Sequence, residues 1–218
     1  MYDGDANTSR LAAWNDSLWM DHSLFRMLWD NVHEVVPGRI WRGNHPTPAR
    51  LRRLTERLGL KTLVNLRGPR KCGSDELSRA EAAKLGLTHT YMAFESRGAP
   101  HRDRILRFHG IWQTLVTPAL MHCKSGADRA GLASGLVLMF EGGTSADALK
   151  QLSWRYGHWG TSRTGILDAF FHHYAAVAEG RVPFIDWVRD EYDEQGLRDR
   201  FRANGLASFV TDHVLRRE

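Results

Sequence analysis

The chain has 218 residues, of which 42% are hydrophobic and 25% charged, and this composition fits one domain with an extension rather than a disordered or collagen-like protein. Its two cysteines are too few for a disulfide framework and favour a reducing compartment. The first five residues carry acids instead of the basic flank of a signal peptide, and the longest apolar run, 131–140, is far shorter than the ~20 residues that span a bilayer. We therefore expect a soluble, cytoplasmic protein.

The net charge of +5 is unevenly distributed along the chain. Residues 1–34 hold two arginines against six acidic residues, a net charge of −4, so the remaining residues carry +9. A basic body favours an anionic partner, and the planar guanidinium of arginine suits phosphate, although solvated surface charges would give the same composition. The aromatic interleaving and motifs of nucleic-acid-binding proteins are missing, so nucleic acid is not an expected partner.

The first 35 residues are predicted to be a helical extension. Apolar residues recur over 9–34 at spacings of three, four and seven, at Leu11, Trp14, Leu18, Phe25, Leu28 and Val32. This spacing predicts an amphipathic helix. Its acidic polar face argues against adsorption to an anionic membrane, so we expect it to dock on the protein's own core or on a partner.

Short apolar strands alternate with helices from residue 36 onward. Strands are predicted at Arg39–Gly43, Lys61–Leu66, Thr88–Phe94 and Pro118–His122, and the helices between them at Thr47–Gly59, Ser74–Leu85 and Pro100–Leu115. Thr47 is a suitable N-cap, with Pro48 at the first helical position. The pattern predicts an α/β fold in which a mostly parallel central sheet is flanked by helices.

The chain after residue 122 is predicted to be helical, with a main domain over 36–180 and a C-terminal helical segment, 181–218, packed on it. The helices are predicted at Gly131–Phe140, Ala146–Tyr156, Ile166–Glu179 and Phe184–Tyr192. The helical patterns also place Trp112, Trp154 and Trp187 in the core.

The loop after the fourth predicted strand carries the chemistry. It reads His122-Cys123-Lys124-Ser125-Gly126-Ala127-Asp128-Arg129 and leads into an apolar helix. Between a strand end and a helix N-terminus, successive backbone N–H groups point into one concavity, and the helix dipole adds positive potential. Gly126 permits the tight turn, Arg129 can grip two oxygens of a tetrahedral anion, and the field favours the nucleophilic thiolate of Cys123. The loop therefore predicts a phosphate site with a sulfur nucleophile beneath it.

The pattern His-Cys-x5-Arg resembles the signature loop of the cysteine-based phosphatases, and its place after several strand–helix units is similar to the dual-specificity branch. The segments Pro37–Pro46 and Thr62–Arg67 are also similar to the atypical dual-specificity phosphatases, a group that includes fungal and plant inositol-pyrophosphate phosphatases and bacterial relatives. The resemblance covers about residues 36–175. It implies a phosphomonoester hydrolase that needs no metal or other cofactor.

The resemblance implies a reaction in two steps. Cys123 attacks phosphorus to give a cysteinyl-phosphate while Arg129 and the loop hold the phosphoryl oxygens, and water then releases phosphate. The loop residues expected to bind the substrate are Lys124, Ser125, Gly126 and Ala127. The family usually has Ser or Thr after the arginine, where this chain has Ala130. Because that hydroxyl assists the sulfur as a leaving group, breakdown of the intermediate is expected to be slow.

Three acidic residues are candidates for protonating the leaving group. Dual-specificity phosphatases supply an aspartate after the preceding strand, where this chain has Glu95 and Asp103. Asp128, directly before the arginine, resembles the acid assigned in myotubularin and Sac-type phosphoinositide phosphatases. We favour Asp128, whose side chain would have to turn into the pocket; the alternative is that it points outward or braces the loop.

Further basic and aromatic residues are candidates for the rim of the site. Lys124 would bind a second phosphate or be solvated, and the loop 155–165 offers Arg163, His158 and Trp159 as substrate contacts. Arginines that follow predicted strands are Arg42, Arg67 and Arg97.

The second cysteine and a pair of adjacent histidines are further candidates for chemistry. Cys72 would form a protective disulfide with Cys123 under oxidation if the two lay close together. His172 and His173 have no third ligand at a suitable spacing, so no metal site is predicted.

The expected partners are phosphorylated proteins or lipid and inositol phosphates, with inorganic phosphate or vanadate as active-site anions. A lipid substrate would add peripheral contact with a membrane. The alternative is a phosphate-binding adaptor with low turnover, which Ala130 and the unsettled acid favour.

Overall fold

The computed structural model describes residues 31–70 and 72–202, and the centre of this part of the chain is a sheet of strand order β1-β2-β5-β3-β4. The strands are β1 (His33–Val36), β2 (Ile40–Gly43), β3 (Thr62–Asn65), β4 (Thr88–Tyr91) and β5 (Ala119–His122). β1 is antiparallel to β2, and the other neighbours are parallel. The predicted α/β fold with a mostly parallel sheet is therefore confirmed.

Helices cover both faces of this sheet. They are α1 (Pro48–Leu58), α2 (Gly73–Lys84), α3 (Arg102–Thr114), α4 (Asp128–Phe140), α5 (Ser145–Lys150), α6 (Ile166–Val177) and α7 (Phe184–Asp190). Two short 3-10 helices, Trp154–Tyr156 and Arg163–Gly165, lie between α5 and α6, and residues 194–202 are again helical. As predicted, Thr47 caps α1 by accepting a hydrogen bond from the Arg50 amide, with Pro48 in the first turn.

Successive side chains of each strand point to opposite faces of the sheet, so the core has two layers. Leu63 of β3 and Leu120 of β5 pack with the leucines of α1 on one face. Their neighbours Val64 and Met121 face the larger cluster, which is formed with α3, α4, α6 and α7. Each fully buried aliphatic side chain contributes roughly 1.5–3 kcal/mol, so the central strand β5 is held firmly from both sides.

The structure corrects the sequence prediction at the N-terminal end of the sheet domain. The helix predicted over 9–34 falls mostly outside the described residues, but His33 and Glu34 lie in strand β1, because this segment pairs with β2 instead of continuing a helix. The predicted extension over 1–35 therefore overlaps the sheet. Residues 203–218 of the predicted C-terminal segment also lie outside the described part.

The helix predicted over Ala146–Tyr156 is wrong beyond Lys150. Ser153 caps a separate 3-10 turn by accepting from the Arg155 amide, and Gly157 ends that turn at a positive φ of 81°. This break turns Trp154 outward, where it is 77% exposed instead of lying in the core. Of the other two tryptophans, Trp187 is buried as predicted and Trp112 packs partly buried against the core.

Candidate active site

The Cys-x5-Arg loop lies at the carboxyl end of the central strand. β5 runs between β2 and β3, and α4 begins at Asp128, inside the motif. The turn after β2 braces the loop, because the Cys123 amide donates to Gly43 O and the His45 amide to Lys124 O, each over 3.3 Å. This edge is where ligand sites of parallel sheets are found.

Two side chains hold the outer surface of the loop. Asn31 Nδ2 donates to Ser125 O over 2.9 Å, and Arg42 Nη2 donates to Gly126 O and Ala127 O over 2.8 and 3.0 Å. Because a trans peptide carries its C=O and N–H on opposite sides, the N–H groups that follow these carbonyls point to the inside of the loop. The loop is therefore an anion cradle that is kept open by its scaffold.

Arg42 lies beneath the loop and not in the substrate pocket, where sequence reasoning had placed it as a candidate. Its side chain is completely buried, donates from Nη1 to Gln151 O over 2.6 Å and lies 4.0 Å from the ring centre of Tyr156. Burial lowers the pKa of Arg42 to about 10, which leaves it charged at neutral pH. Sequence reasoning missed this scaffold role and that of Asn31, since neither position carries a local signal.

The sulfur of Cys123 lies at the floor of the cradle. The residue is 2% exposed, and the Gly126 amide donates to Sγ over 3.2 Å. Gly126 has φ +80°, and a Cβ there would lie 2.8 Å from Asn44 N and 2.9 Å from Gly43 C. Glycine is therefore required both for the conformation and for the close approach of the β2 turn.

Arg129 reaches from the first turn of α4 across to the segment after β4. Its Nε donates to Phe94 O over 3.0 Å and its Nη2 to Ser96 Oγ over 3.3 Å. Burial lowers the pKa of Arg129; the nearby sulfur of Cys123 opposes this shift, and the charges of Arg70 and Arg67 add to it. The guanidinium thus lies close to the candidate nucleophile, and two further arginines lie near it.

Asp128 is tied to a buried histidine. Its Oδ1 lies 2.8 Å from His158 Nδ1, and His158 Nε2 lies 2.7 Å from Asp168 Oδ2 on α6. The imidazole is 1% exposed, so His158 is not the direct substrate contact that its loop position suggested. Burial lowers the pKa of His158, but the hydrogen bonds to Asp128 and Asp168 raise it more, to about 9.

The two alternative acids are placed differently. Glu95 Oε1 contacts Arg104 Nη1 and lies 3.3 Å from His101 Nε2, so this carboxylate is held in an ion-pair cluster. Asp103 is exposed in the first turn of α3. Asp128 is the candidate that lies in the phosphate loop itself.

The remaining candidates are spread around the rim. Lys124 is half-buried, Ser125 is exposed and Ala127 is buried within the loop. On the loop between α5 and α6, Arg163 and Trp159 are both exposed.

Both cysteines are free, with Cys72 half-buried before α2, so their proposed redox pairing stays a prediction. Within residues 31–70 and 72–202, no group of three potential metal ligands is found. No helix in this part is both long and apolar enough to cross a membrane.

A cysteine at the floor of an amide cradle, with an arginine six residues later on the following helix, is the site of a cysteine-based phosphatase. The sequence matches the model of the tyrosine phosphatase family over residues 28–151, and the chain belongs to this family. The resemblance seen in the sequence is thereby confirmed. The protein is a phosphoric monoester hydrolase of the protein-tyrosine-phosphatase type.

Solved structures that are similar to this chain have low sequence identity to it. TpbA of P. aeruginosa is 20% identical, with a TM-score of 0.50, over 78% of this chain and 89% of that chain. The core catalytic domain of the PP-IP phosphatase SIW14 from S. cerevisiae, solved with citrate, is 17% identical with a TM-score of 0.49, over 81% and 94%. Among curated protein sequences, none matches significantly.

Proposed function

We propose that the protein hydrolyses phosphomonoesters through a covalent intermediate on Cys123. The observation that carries this proposal is the arrangement of the loop, whose carbonyls are held outward while the Gly126 amide donates to the cysteine sulfur. Amides and a helix N-terminus that converge on sulfur stabilise the thiolate and bind a phosphate dianion in front of it.

The proposed first step forms the S–P bond and breaks the P–O bond of the ester. Cys123 attacks in line, Arg129 and the loop amides bind the three equatorial oxygens, and Asp128 assists protonation of the leaving oxygen. In the second step water attacks phosphorus, the S–P bond breaks and its electron pair returns to the sulfur. Inorganic phosphate and the thiolate remain.

Replacing Ala130 with serine is expected to speed the second step. Ala130 follows Arg129 and is completely buried, so no hydroxyl at this position stabilises the departing sulfur. We expect Ala130→Ser to raise kcat several-fold and to diminish the pre-steady-state burst of product from an aryl phosphate, measured by stopped flow. Ala133→Ser, one turn later and equally buried, is the matched control. A burst that is unchanged in Ala130→Ser would show that a hydroxyl at this position does not assist breakdown of the intermediate, and a wild type without a burst would show that breakdown is not rate-limiting.

We further propose that the substrate carries more than one phosphate group, as inositol phosphates and phosphoinositides do. Arg70 and Arg67 act on Arg129 at the edge of the cradle, and neither Arg70 nor Arg129 forms an ion pair with a described carboxylate. The buried carboxylate of Asp75 orients this segment by accepting from the Arg70 amide over 3.3 Å. Three arginines at one edge suit a second anionic group beside the one being hydrolysed.

Neutralising Arg70 tests this substrate class. We expect Arg70→Gln to raise the KM for a soluble inositol polyphosphate roughly tenfold, because the substrate loses about one charge-assisted hydrogen bond. The KM for an aryl phosphate should change less than about twofold. Arg57→Gln, at the C-terminal end of α1, is the control. Equal effects of Arg70→Gln on both substrates would contradict a second phosphate site.

The overall experiment is phosphate release from a panel, without metal and beside Cys123→Ser. The panel contains an aryl phosphate, phosphotyrosine and phosphoserine peptides, soluble inositol phosphates, and phosphoinositides in vesicles. Release that depends on Cys123 and is fastest for inositol phosphates supports the proposal; a preference for vesicles would indicate peripheral membrane contact.

The second candidate function, a low-turnover phosphate-binding adaptor, is favoured by Ala130. It predicts tight binding of phosphorylated ligands with Cys123 intact, and almost no release from any member of the panel. The family to which the chain belongs favours the enzyme.

A further inference from the structure

The ring nitrogens of His158 both face carboxylates. Nδ1 lies 2.8 Å from Asp128 and Nε2 lies 2.7 Å from Asp168. A neutral imidazole has a single N–H and could donate to only one of them, whereas the imidazolium donates to both. The geometry therefore places a proton on the histidine, in agreement with the direction in which its two partners shift its pKa.

The carboxylate of Asp128 has its two oxygens in different environments. Oδ1 is held by the imidazole, while Oδ2 makes no hydrogen bond to a residue in the described ranges and the side chain is 26% exposed. Because His158 is 1% exposed, it reaches a substrate only through one of its two carboxylates, and Asp128 is the one that lies in the loop beside Cys123. The charged groups that act on the imidazole are Asp128, from the start of α4, and Asp168, from α6.

We propose that His158 is the positioning residue of Asp128 and holds the proton that this pair delivers to the leaving oxygen. The inference rests on the proposed function, since it assigns a role within the same reaction. Asp168 is the outer member of the chain: it keeps the imidazole charged and orients its ring.

The Asp128–His158 pair gives up one proton in the first step and regains one in the second. In the first step the electron pair of the P–O bond moves to the leaving oxygen. Asp128 takes the proton of His158 Nδ1 and gives it to this oxygen, so that neutral His158 remains beside the Asp128 carboxylate. In the second step the attacking water gives a proton back to the pair as its oxygen bonds to phosphorus, and the imidazolium is restored. The pair thus acts once as acid and once as base, as the second step requires.

Two substitutions test this role. His158→Asn keeps an N–H near Asp128 but removes the titrating group, and we expect kcat for an alkyl phosphate to fall about 10²–10⁴-fold, while that for an activated aryl phosphate falls less than about tenfold. In the wild type, kcat for the alkyl phosphate should fall as the pH rises through the apparent pKa of the pair. Asp168→Asn removes one carboxylate that favours the imidazolium, so this alkaline limb should move to lower pH by about one unit.

The controls separate this inference from the proposed function. His172→Asn, exposed on the same α6, and thermal unfolding of every variant report on damage to the fold. If wild type and Cys123→Ser release phosphate equally, the proposed function itself fails. If release depends on Cys123 but His158→Asn slows both substrates equally, or Asp168→Asn leaves the alkaline limb in place, His158 has only a structural role and the inference is overturned.

Discussion

Replacing Cys123 with serine is expected to reduce phosphate release by about 10⁴-fold or more while leaving the binding of inorganic phosphate largely intact. The serine hydroxyl is not ionised at neutral pH and is a far weaker nucleophile than a thiolate. The cradle around it depends on Asn31 and Arg42, which hold backbone carbonyls and do not contact the sulfur. This variant should therefore lose hydrolysis and keep anion binding.

The measurement is phosphate release at saturating substrate together with a calorimetric titration by inorganic phosphate. Cys72→Ser is the matched control, since it makes the same atomic change at the chain's other cysteine, half-buried before α2. We expect this control to behave like the wild type. Activity that survives in Cys123→Ser would remove the cysteine from the mechanism.

Replacing Arg42 with methionine is expected to lower the free energy of unfolding by about 3–5 kcal/mol and to reduce kcat/KM by at least about 100-fold. The substitution leaves the carbonyls of Gln151 and Gly126 without their donor, whereas Ala127 O keeps its bond from the Gly131 amide over 2.7 Å. An unsatisfied buried polar group costs about 1–3 kcal/mol. With no donor to hold the Gly126 carbonyl outward, the peptide that joins it to the Ala127 N–H loses its fixed direction. Stability and phosphate affinity should then fall together.

Urea denaturation and kinetics check this expectation. Arg39→Met is the control: this arginine, near the start of β2, is 48% exposed and pairs with Glu141 over 2.9 Å, an interaction that contributes at most about 1 kcal/mol. If the methionine variant does not fold, Arg42→Lys takes its place. Lysine keeps the charge but lacks the planar guanidinium that reaches several carbonyls, so the free energy of unfolding and kcat/KM should each fall by a smaller amount. An Arg42→Lys protein with wild-type stability and activity would contradict the scaffold role.

The proton-transfer machinery shows where local sequence information ends. Asp128 was a candidate acid because it lies in the phosphate loop, a short-range signal. The loop 155–165 suggested His158 as a substrate contact, together with Arg163 and Trp159, and Asp168 carries no local signal. The three residues meet because α6 packs beside α4 and the loop between them folds back, contacts that no spacing of residues encodes.

Local patterns in the sequence are enough to predict the parallel sheet, most of its helices and the phosphate loop. These predictions rest on local signals: the apolar runs, the Thr47 cap and the pattern from Cys123 to Arg129. Each signal acts through the backbone conformation of residues that are close together in the chain. The residues around that loop come from distant parts of the chain and are brought there by the packing of the fold. This packing brought Asn31 and Arg42 beneath the loop and buried His158 between two carboxylates, and it left Trp154 exposed, because burial and long-range hydrogen bonding depend on which elements pack together.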